Sequence, residues 1–302
     1  MKVNLYIPTL NGGKHFLELL DRLEQQTLPL QRCVVIDSGS TDGTVAAAQA
    51  RGCEVIGLGS EGFDHGGTRQ RAIDAYPDAD VYCLLTQDAI LADEVALANL
   101  AQAFANSEVG MAYGRQLPHP GATLLESHVR LFNYPPQNQL RALTDAPTYG
   151  IKTISCSNSF AAYRREALEQ VGGFPRGTIM GEDVIVAGKL LLDGWKMAYV
   201  ADACVYHSHD YAIREEFERY FDIGVFHADN RWIFEAFGRA GGEGLRYAMS
   251  EIGYVGRRNP FLLPKVGCSL AAKWLGYKFG LSYRRLPLKL RKACSMYKGY
   301  WK

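Results

Sequence analysis

One strongly apolar stretch that ends in a carboxylate constrains the fold more than any other feature. Residues 81–89 read VYCLLTQDA, so five mostly apolar residues lead directly into Thr-Gln-Asp. An uninterrupted apolar run of this length is typical of a strand buried on both faces. In open α/β sheets, ligands bind at the carboxyl ends of the strands. We therefore predict that Asp88 lies on a rigid element at the mouth of a cleft.

The N-terminal part of the chain repeats this strand-then-loop pattern. A β-branched run at 3–7 precedes PTLNGG, and a second run at 33–36 precedes DSGSTDGT. Each is followed by a segment with helical character. Alternation of strands and helices at this spacing predicts a parallel sheet with right-handed crossovers. The dinucleotide fingerprint GxGxxG is missing after the first strand, which argues against a nicotinamide or flavin enzyme.

A glycine-rich loop, GSEGFDHGGTR, occupies residues 59–69 and precedes another predicted helix. Gly66 and Gly67 would let backbone N–H groups approach an anion at the helix N-terminus. Arg69 would add donors suited to phosphate oxygens. The loop alone fits a phosphate site and an ordinary glycine-rich turn with surface arginines about equally well.

The second half carries further acids and histidines at predicted element ends. The apolar spacing after residue 183 places Glu182 and Asp183 in the first turn of a helix. An extended segment at 195–206 ends in His207-Ser208-His209. The two histidines are two residues apart on an extended chain, so they point to the same face. Residues 151–156 predict another strand, and the Pro- and Asn-rich residues 133–149 predict a long loop.

Net charge and cysteine content limit which partners and which cellular compartment the chain can have. No Asp or Glu follows Glu251, whereas residues 252–302 hold 12 Lys and Arg, and residues 1–251 carry a net charge of −11. A basic, aromatic tail on an acidic body indicates an anionic surface as its partner. Seven cysteines without a CxxC pair suit reduced thiols of a cytoplasmic protein. We expect no signal peptide, no membrane-spanning helix and no nucleic-acid partner.

Taken in order, these motifs resemble the inverting family 2 glycosyltransferases with the GT-A fold, over roughly residues 2–210. The motifs are IPTLNG, IDSGSTDGT, TQDA, MGEDV and a histidine after the following strand. FDHGGTRQ resembles the FNHGGTRN-type loop common among bacterial rhamnosyltransferases, with departures at Asp64 and Gln70.

The resemblance implies an α/β fold: a GT-A, Rossmann-like, mostly parallel sheet with flanking helices. It would form a catalytic domain at 1–210, with a nucleotide-sugar half at about 1–110 and an acceptor half at about 111–210. A helical, basic C-terminal region would occupy 211–302.

The resemblance also implies roles for individual residues. Asp88 would bind Mn²⁺ or Mg²⁺ together with His207 or His209. Asp183 would be the general base, and Glu182 would orient or contact the acceptor. The expected nucleotide-sugar site consists of Pro8, Thr9, Asn11, Asp37, Ser40, His65, Gly66, Gly67, Arg69 and Gln87.

The expected reaction is transfer of L-rhamnose from dTDP-β-L-rhamnose to a glycan or lipid-linked saccharide. UDP-glucose, UDP-galactose and GDP-mannose are alternative donors. A nucleotidyltransferase would need an activating loop near the N-terminus, and PTLNGGKH is a poor one. A non-catalytic glycan- or membrane-binding scaffold would not need Asp88 and Asp183.

Residues 252–302 allow more than one interpretation. They could bind an anionic membrane surface at the cytoplasmic face, or they could pack on the rest of the chain or form a homodimer contact.

Overall fold

A computed structural model describes residues 1–59, 62–239 and 241–301. Its strands are β1 (Val3–Thr9), β2 (Arg32–Asp37), β3 (Glu54–Gly57), β4 (Val81–Leu85), β5 (Ile90–Leu91), β6 (Val109–Leu117), β7 (Gln139–Arg141), β8 (Phe160–Arg164) and β9 (Lys196–Tyr206). Its helices are α1 (Gly13–Glu24), α2 (Thr44–Ala50), α3 (His65–Ala75), α4 (Ala96–Gln102), α5 (Leu124–Asn133), α6 (Ala146–Tyr149), α7 (Arg165–Gln170), α8 (Glu182–Leu192), α9 (Ile213–Asp229), α10 (Trp232–Phe237), α11 (Glu243–Arg258), α12 (Leu263–Leu281) and α13 (Leu288–Cys294).

The strands form one sheet in the order β3-β2-β1-β4-β8-β6-β9-β5, and β7 pairs with β9. The first four strands pair in parallel, as the alternating pattern predicts. β8 is antiparallel to both β4 and β6, and β5 and β7 are antiparallel to β9. The α/β class with flanking helices and a mostly parallel sheet is therefore confirmed: six of the nine strands that the structure describes share one direction, and β5, β7 and β8 run against them.

The reversed strand β8 determines which chain ends meet at one edge. Because β8 runs antiparallel to both neighbours, β6 and its parallel partner β9 point in the same direction as β4. The carboxyl ends of β1, β2, β4, β6 and β9 therefore share one edge. The start of β8 joins them, since Phe160 pairs with Leu85 at the end of β4.

The core lies on both faces of this sheet, which explains the continuous apolar runs. Along β1, Val3, Leu5 and Ile7 face the layer that contains α1 and α4, whereas Tyr6 faces the layer that contains α3, α8 and α9. Every residue of β4 is buried. Burial of each large apolar side chain contributes on the order of 1.5–3 kcal/mol, so both layers fix the strand ends firmly.

Two local predictions are wrong. The expected strand at 151–156 is a 3₁₀ helix at Gly150–Ile154, and the nearby strand is β8. The expected loop at 133–149 contains β7 and α6. Short apolar runs carry too little periodicity to separate a strand from a buried helical turn, so tertiary packing decides between them.

The C-terminal region is helical, as expected, and its last residues pack against α9 and against Phe63 in the N-terminal half. Asp222 of α9 accepts hydrogen bonds from the backbone N–H groups of Met296 and Tyr297. The Tyr297 hydroxyl donates to the Phe63 carbonyl, and the Trp301 side chain is buried. Among the described residues, none of the helices combines the length and hydropathy that crossing a bilayer requires.

Candidate active site

Three potential metal ligands converge just beyond the ends of β4 and β9. The Nε2 atoms of His207 and His209 each lie 3.6 Å from Oδ2 of Asp88, and 3.2 Å from each other. One candidate ligand atom from each residue fits within 4.8 Å of the others. The structure thus brings both histidines to Asp88, so the choice between His207 and His209 that the sequence leaves open is unnecessary.

The chemistry of this donor set suits a divalent cation. Burial alone raises the pKa of Asp88, but the His207 contact and the charge of His209 hold that pKa well below its usual range. Burial lowers the pKa of His209 to about 4, so its imidazole is neutral at pH 7 and can bind a metal. A carboxylate oxygen and two imidazole nitrogens are ligands that first-row divalent ions accept.

Gln116, near the end of β6, orients one of these rings. Its Oε1 lies 2.9 Å from Nδ1 of His207, and both side chains are buried. An amide oxygen can only accept, so Nδ1 donates to Gln116, and Nε2 is the ring nitrogen left to face Asp88 and to bind a metal. This is the arrangement by which a second residue fixes the tautomer of a metal-binding histidine.

A second group of charges lies at the start of α8. Nη1 of Arg69 is 3.1 Å from Oε1 of Glu182, and both side chains are almost fully buried. Asn158 joins Glu182 to its neighbour: its Nδ2 donates to Glu182 at 2.9 Å, and its backbone N–H donates to Asp183 at 3.1 Å. Glu182 is therefore committed to Arg69 and Asn158, while Asp183 receives backbone donors from Asn158 and Val184.

The two adjacent carboxylates differ in their proton affinity. Burial, and then the negative charge of Glu182, raise the pKa of Asp183 to about 7. Burial alone would raise the pKa of Glu182 as well, but Arg69, His65 and Asn158 lower it. Such a separation leaves Glu182 ionised and gives Asp183 a proton affinity suited to a base that works near neutral pH.

The residues predicted to bind the nucleotide sugar lie along the ends of β1 and β2. Pro8 and Thr9 pair with the last residues of β2, up to Asp37. Asp37 accepts the backbone N–H groups of Gly39 and Ser40, and the Ser40 hydroxyl accepts the Asn11 N–H. These bonds hold the two loops together. The nucleotide-binding role of these residues stays a prediction.

Gln87 connects this loop to the metal group. Its Oε1 accepts the Leu10 N–H at 2.8 Å, and its Nε2 donates to the Leu10 carbonyl at 3.2 Å. Both ends of the amide are thus engaged by the loop after β1. Because Asp88 follows directly, Gln87 fixes the distance between that loop and the three metal-binding candidates.

The glycine pair after Asp64 serves close packing in this structure. A Cβ atom at Gly66 would lie 1.8 Å from the Pro175 carbonyl oxygen, and one at Gly67 would lie 2.8 Å from Oδ1 of Asp64. The Gly67 N–H already donates to Asp64, the N-cap of α3. The glycines therefore bring α3 against residues 173–177, which places Arg69 beside Glu182, and a role of His65, Gly66, Gly67 and Arg69 at the donor stays a prediction.

The two departures from the FNHGGTRN-type loop contribute to the same contact. Asp64 accepts the Gly177 N–H at 2.9 Å, and Gln70 accepts the Phe174 N–H at 2.8 Å. His65 lies against Phe63 and Tyr297, with ring centroids 4.9 and 5.2 Å away, and burial lowers its pKa.

Asn158 and Gln116 are the site residues that the sequence did not reveal. Asn158 precedes a strand, whereas a parallel fold predicts functional residues after strands. Only the antiparallel direction of β8 brings its start to the active edge. Gln116 is a polar residue near the end of β6, which extends to Leu117, and no motif marks it. The one available signal was the polar pair beside Asn158, SNS, between two apolar runs.

Comparison with known proteins identifies the family. The family model described as "Glycosyl transferase family 2" matches residues 5–172, which is more than half of the chain. This chain belongs to glycosyl transferase family 2. The matched region contains the ends of β1, β2 and β4, including Asp37 and Asp88. The expectation of a glycosyltransferase is therefore confirmed.

Two curated relatives extend the likeness of this family 2 glycosyltransferase over the whole chain. It is 47% identical over 302 residues to "O-antigen chain rhamnosyltransferase RfbN" of Salmonella typhimurium (strain LT2), covering 100% of this chain and 96% of that protein. It is 43% identical to "O-antigen chain rhamnosyltransferase WbaN" of Salmonella anatum, covering 98% and 95%. The likeness includes the helices after residue 210.

Solved structures support the fold of this glycosyltransferase. The mannosyltransferase PcManGT from Pyrobaculum calidifontis, in complex with GDP-Man and Mn²⁺, matches with a TM-score of 0.58 at 21% identity, covering 99% of this chain and 84% of that one. Glucosyl-3-phosphoglycerate synthase from Mycobacterium tuberculosis, with Mn²⁺ and UDP-glucose, matches with a TM-score of 0.53 at 17% identity, covering 78% and 79%. At these identities the likeness concerns the fold.

Proposed function

We propose that this protein transfers L-rhamnose from dTDP-β-L-rhamnose to a hydroxyl group of a glycan or lipid-linked saccharide, with inversion at the anomeric carbon. The observation that carries glycosyl transfer is the meeting of Asp88, His207 and His209 at the carboxyl edge of the sheet. The choice of rhamnose rests on 47% identity, over the full chain, to a protein named as an O-antigen chain rhamnosyltransferase.

Asp183 accepts the proton of the attacking acceptor hydroxyl in this proposal. Its pKa of about 7 makes it basic enough to take the proton and still largely ionised above neutral pH. Arg69 and Asn158 hold Glu182 in place, and Glu182 in turn keeps the pKa of Asp183 high. Glu182 therefore acts on the base, and contact with the acceptor stays a prediction.

Asp88, His207 and His209 would hold the cation, with Gln116 fixing the His207 tautomer. A bound divalent ion supplies positive charge that neutralises the diphosphate of the leaving nucleotide. Two imidazole nitrogens beside one carboxylate favour Mn²⁺ over Mg²⁺, because Mg²⁺ prefers oxygen ligands alone.

Pro8, Thr9, Asn11, Asp37 and Ser40 would bind the base and ribose in the groove between the ends of β1 and β2. Asp37 already accepts two backbone N–H groups, but a carboxylate offers about four acceptor positions. It can therefore also accept the imide N–H of thymine.

We also place the enzyme at the cytoplasmic face of a membrane, bound to its surface. Leu245, Met249 and Ile252 are exposed on one face of α11, and Phe261 is 91% exposed before α12. The 12 basic residues after Glu251 lie in the same region. Apolar side chains beside cations suit the boundary between acyl chains and anionic headgroups.

A donor panel tests the proposed reaction. Hydrolysis of dTDP-β-L-rhamnose, UDP-glucose, UDP-galactose and GDP-mannose would be measured with and without Mn²⁺, using the full chain. We expect Mn²⁺-dependent hydrolysis with a clear preference for dTDP-β-L-rhamnose. Equal rates for all four donors would remove the rhamnose assignment, and hydrolysis independent of any divalent ion would remove the metal assignment.

A further inference from the structure

A cavity of about 640 Å³ lies between α5, α9, α11 and α12, beside the metal-binding candidates. His209, Asp210 and Tyr211 form one end of it, and Leu245 and Trp274 lie in its lining towards the exposed face of α11 and α12. Most of its wall is apolar and aromatic. A volume of this size is typical of sites that bury a small ligand, and the resemblance assigns no role to it.

The cations of the cavity wall differ in whether a carboxylate neutralises them. Lys273 lies 3.2 Å from Glu216 and 3.7 Å from Glu251, and Lys152 is paired with Glu243. Lys265 lies 4.0 Å from Asp210. Each of these lysines thus has an acidic partner in the wall, and none is available as a strong anion site.

Arg130 and Arg219 are different. In the part of the chain that the structure describes, neither forms an ion pair within 4.0 Å, and the buried Nε of Arg130 has no hydrogen-bond partner. Glu126, the nearest acid on α5, is engaged by the Thr123 N–H and the Ser208 hydroxyl. A buried guanidinium donor without an acceptor is costly, unless a ligand supplies the acceptor.

Both arginines line the cavity that His209 and Tyr211 border at one end. The Arg219 guanidinium lies 5.6 Å from the centre of the Tyr211 ring, and that ring lies 5.3 Å from the His209 ring. Arg130 lines the same cavity as Arg219, His209 and Tyr211. Two unneutralised guanidinium groups therefore adjoin the metal group at the mouth of an apolar cavity.

We propose that Arg130 and Arg219 bind the diphosphate of a lipid-linked ligand whose apolar chain occupies this cavity. Guanidinium groups match the geometry of phosphate oxygens, and the apolar wall suits a hydrocarbon chain rather than a sugar or a nucleotide. The cavity continues to the exposed Leu245 and Trp274, so the chain can pass from the site to a membrane surface. This proposal rests on the proposed glycosyl transfer, since such a ligand would be the acceptor.

Binding of a prenyl diphosphate without any donor tests the inference. Geranylgeranyl diphosphate, geranylgeraniol and inorganic pyrophosphate would each be titrated into the full chain without a divalent ion. We expect the diphosphate with its chain to bind more tightly than either fragment. Arg130→Gln and Arg219→Gln should each weaken it by about tenfold or more, because each loses a charge-assisted contact.

Arg165→Gln is the matched control, since Arg165 is exposed at the start of α7, after β8 has crossed to the opposite edge of the sheet. It should leave the affinity unchanged. Leu245→Glu tests the apolar part: the exposed position tolerates the change, so the fold is kept. This variant should weaken the binding of geranylgeranyl diphosphate and leave the binding of pyrophosphate unchanged.

Several outcomes would overturn the inference. Equal affinities for geranylgeranyl diphosphate and geranylgeraniol would exclude a diphosphate contact. If Arg130→Gln and Arg219→Gln bind geranylgeranyl diphosphate as tightly as Arg165→Gln does, these two arginines are not the diphosphate site. Variants that weaken only dTDP binding with Mn²⁺ would assign the arginines to the donor instead. Because Mn²⁺-dependent hydrolysis of dTDP-β-L-rhamnose needs no acceptor, its presence or absence judges the proposed function separately.

Discussion

At the scale of single residues, the site depends on the unequal treatment of two adjacent carboxylates. Glu182 contacts a buried arginine and an amide, whereas Asp183 accepts hydrogen bonds from backbone N–H groups and is repelled by the charge of Glu182. One acid is thereby kept charged, and the other keeps its proton until the pH approaches 7. The environment, rather than the residue type, separates the two roles.

Substitution of Glu182 should shift the pH dependence of transfer. A negative neighbour raises the pKa of Asp183, so Glu182→Gln lowers that pKa, and the base stays ionised at lower pH. We expect the acidic limb of the kcat/KM profile, near pH 7 in the wild type, to move to lower pH, with a lower maximal rate.

The exposed Glu166→Gln on α7 should leave that profile in place. An unchanged or upward-shifted acidic limb in Glu182→Gln would contradict the link between the two carboxylates.

The sequence identified the acids and the histidines of the site, but not the partners of Glu182 and Asp183. Asp88 and Asp183 are recognisable because each stands at the end of a long apolar pattern or the start of a helix. Asn158 and the Arg69–Glu182 pair depend on contacts between residues about 25 and about 110 positions apart along the chain. Such contacts follow from strand direction and packing, which a single sequence leaves undetermined.

At the scale of elements, glycines allow α9 and α12 to lie in direct backbone contact. A Cβ atom at Gly280 would lie 2.1 Å from the Phe221 carbonyl oxygen, and one at Gly276 would lie 2.3 Å from the Phe217 carbonyl oxygen. Gly224 of α9 faces Gly280. These small residues let α12 lie directly against α9, so they set the spacing of two of the helices that enclose the cavity.

Gly280→Ala should therefore destabilise the protein although alanine is the better helix former. The added methyl group meets backbone atoms that cannot turn aside, so we expect a loss of about 1–3 kcal/mol. Gly267→Ala is the control on the same helix, because nothing lies within 4 Å of its Cβ position. It should be neutral or stabilising by up to about 1 kcal/mol. Denaturant unfolding measures both, and equal effects would contradict the packing argument.

Sequence periodicity predicted most elements of the N-terminal half correctly and failed where elements are short. The alternating strands and helices up to β4 follow from long, regular patterns. The 3₁₀ helix at Gly150–Ile154 was mistaken for a strand, because its five residues fit either pattern. The reversed β8 was also undetectable, since a strand has the same periodicity in both directions.

At the scale of the whole molecule, basic residues and exposed apolar side chains concentrate after residue 240. The division of the chain near residue 210 stays a prediction, and the tail complicates it, because Tyr297 donates to the Phe63 carbonyl and packs against Phe63 and His65. Residues 295–301 are therefore not a free membrane anchor. Within the segment predicted to meet a membrane, α12 and the residues just before it, next to α11, still expose large apolar side chains such as Phe261 and Trp274.

Vesicle binding tests this surface. The paired substitution Met249→Ser and Phe261→Ser should reduce co-sedimentation with anionic vesicles several-fold, because it removes exposed apolar side chains without touching the core. Leu140→Ser, on the edge strand β7, removes another exposed apolar side chain, far from α11 and α12 in the chain, and should not change binding. Wild-type protein that binds neutral and anionic vesicles equally well would contradict the role of the basic residues.

The central claim is that Asp88, His207 and His209 hold the cation that receives the nucleotide diphosphate. Its most direct test is the affinity for dTDP with and without Mn²⁺ in the wild type and in Asp88→Asn. We predict that Mn²⁺ tightens dTDP binding at least about tenfold in the wild type, and that Asp88→Asn abolishes this gain while the metal-free affinity stays the same. A variant that keeps the full Mn²⁺-dependent gain would contradict the account.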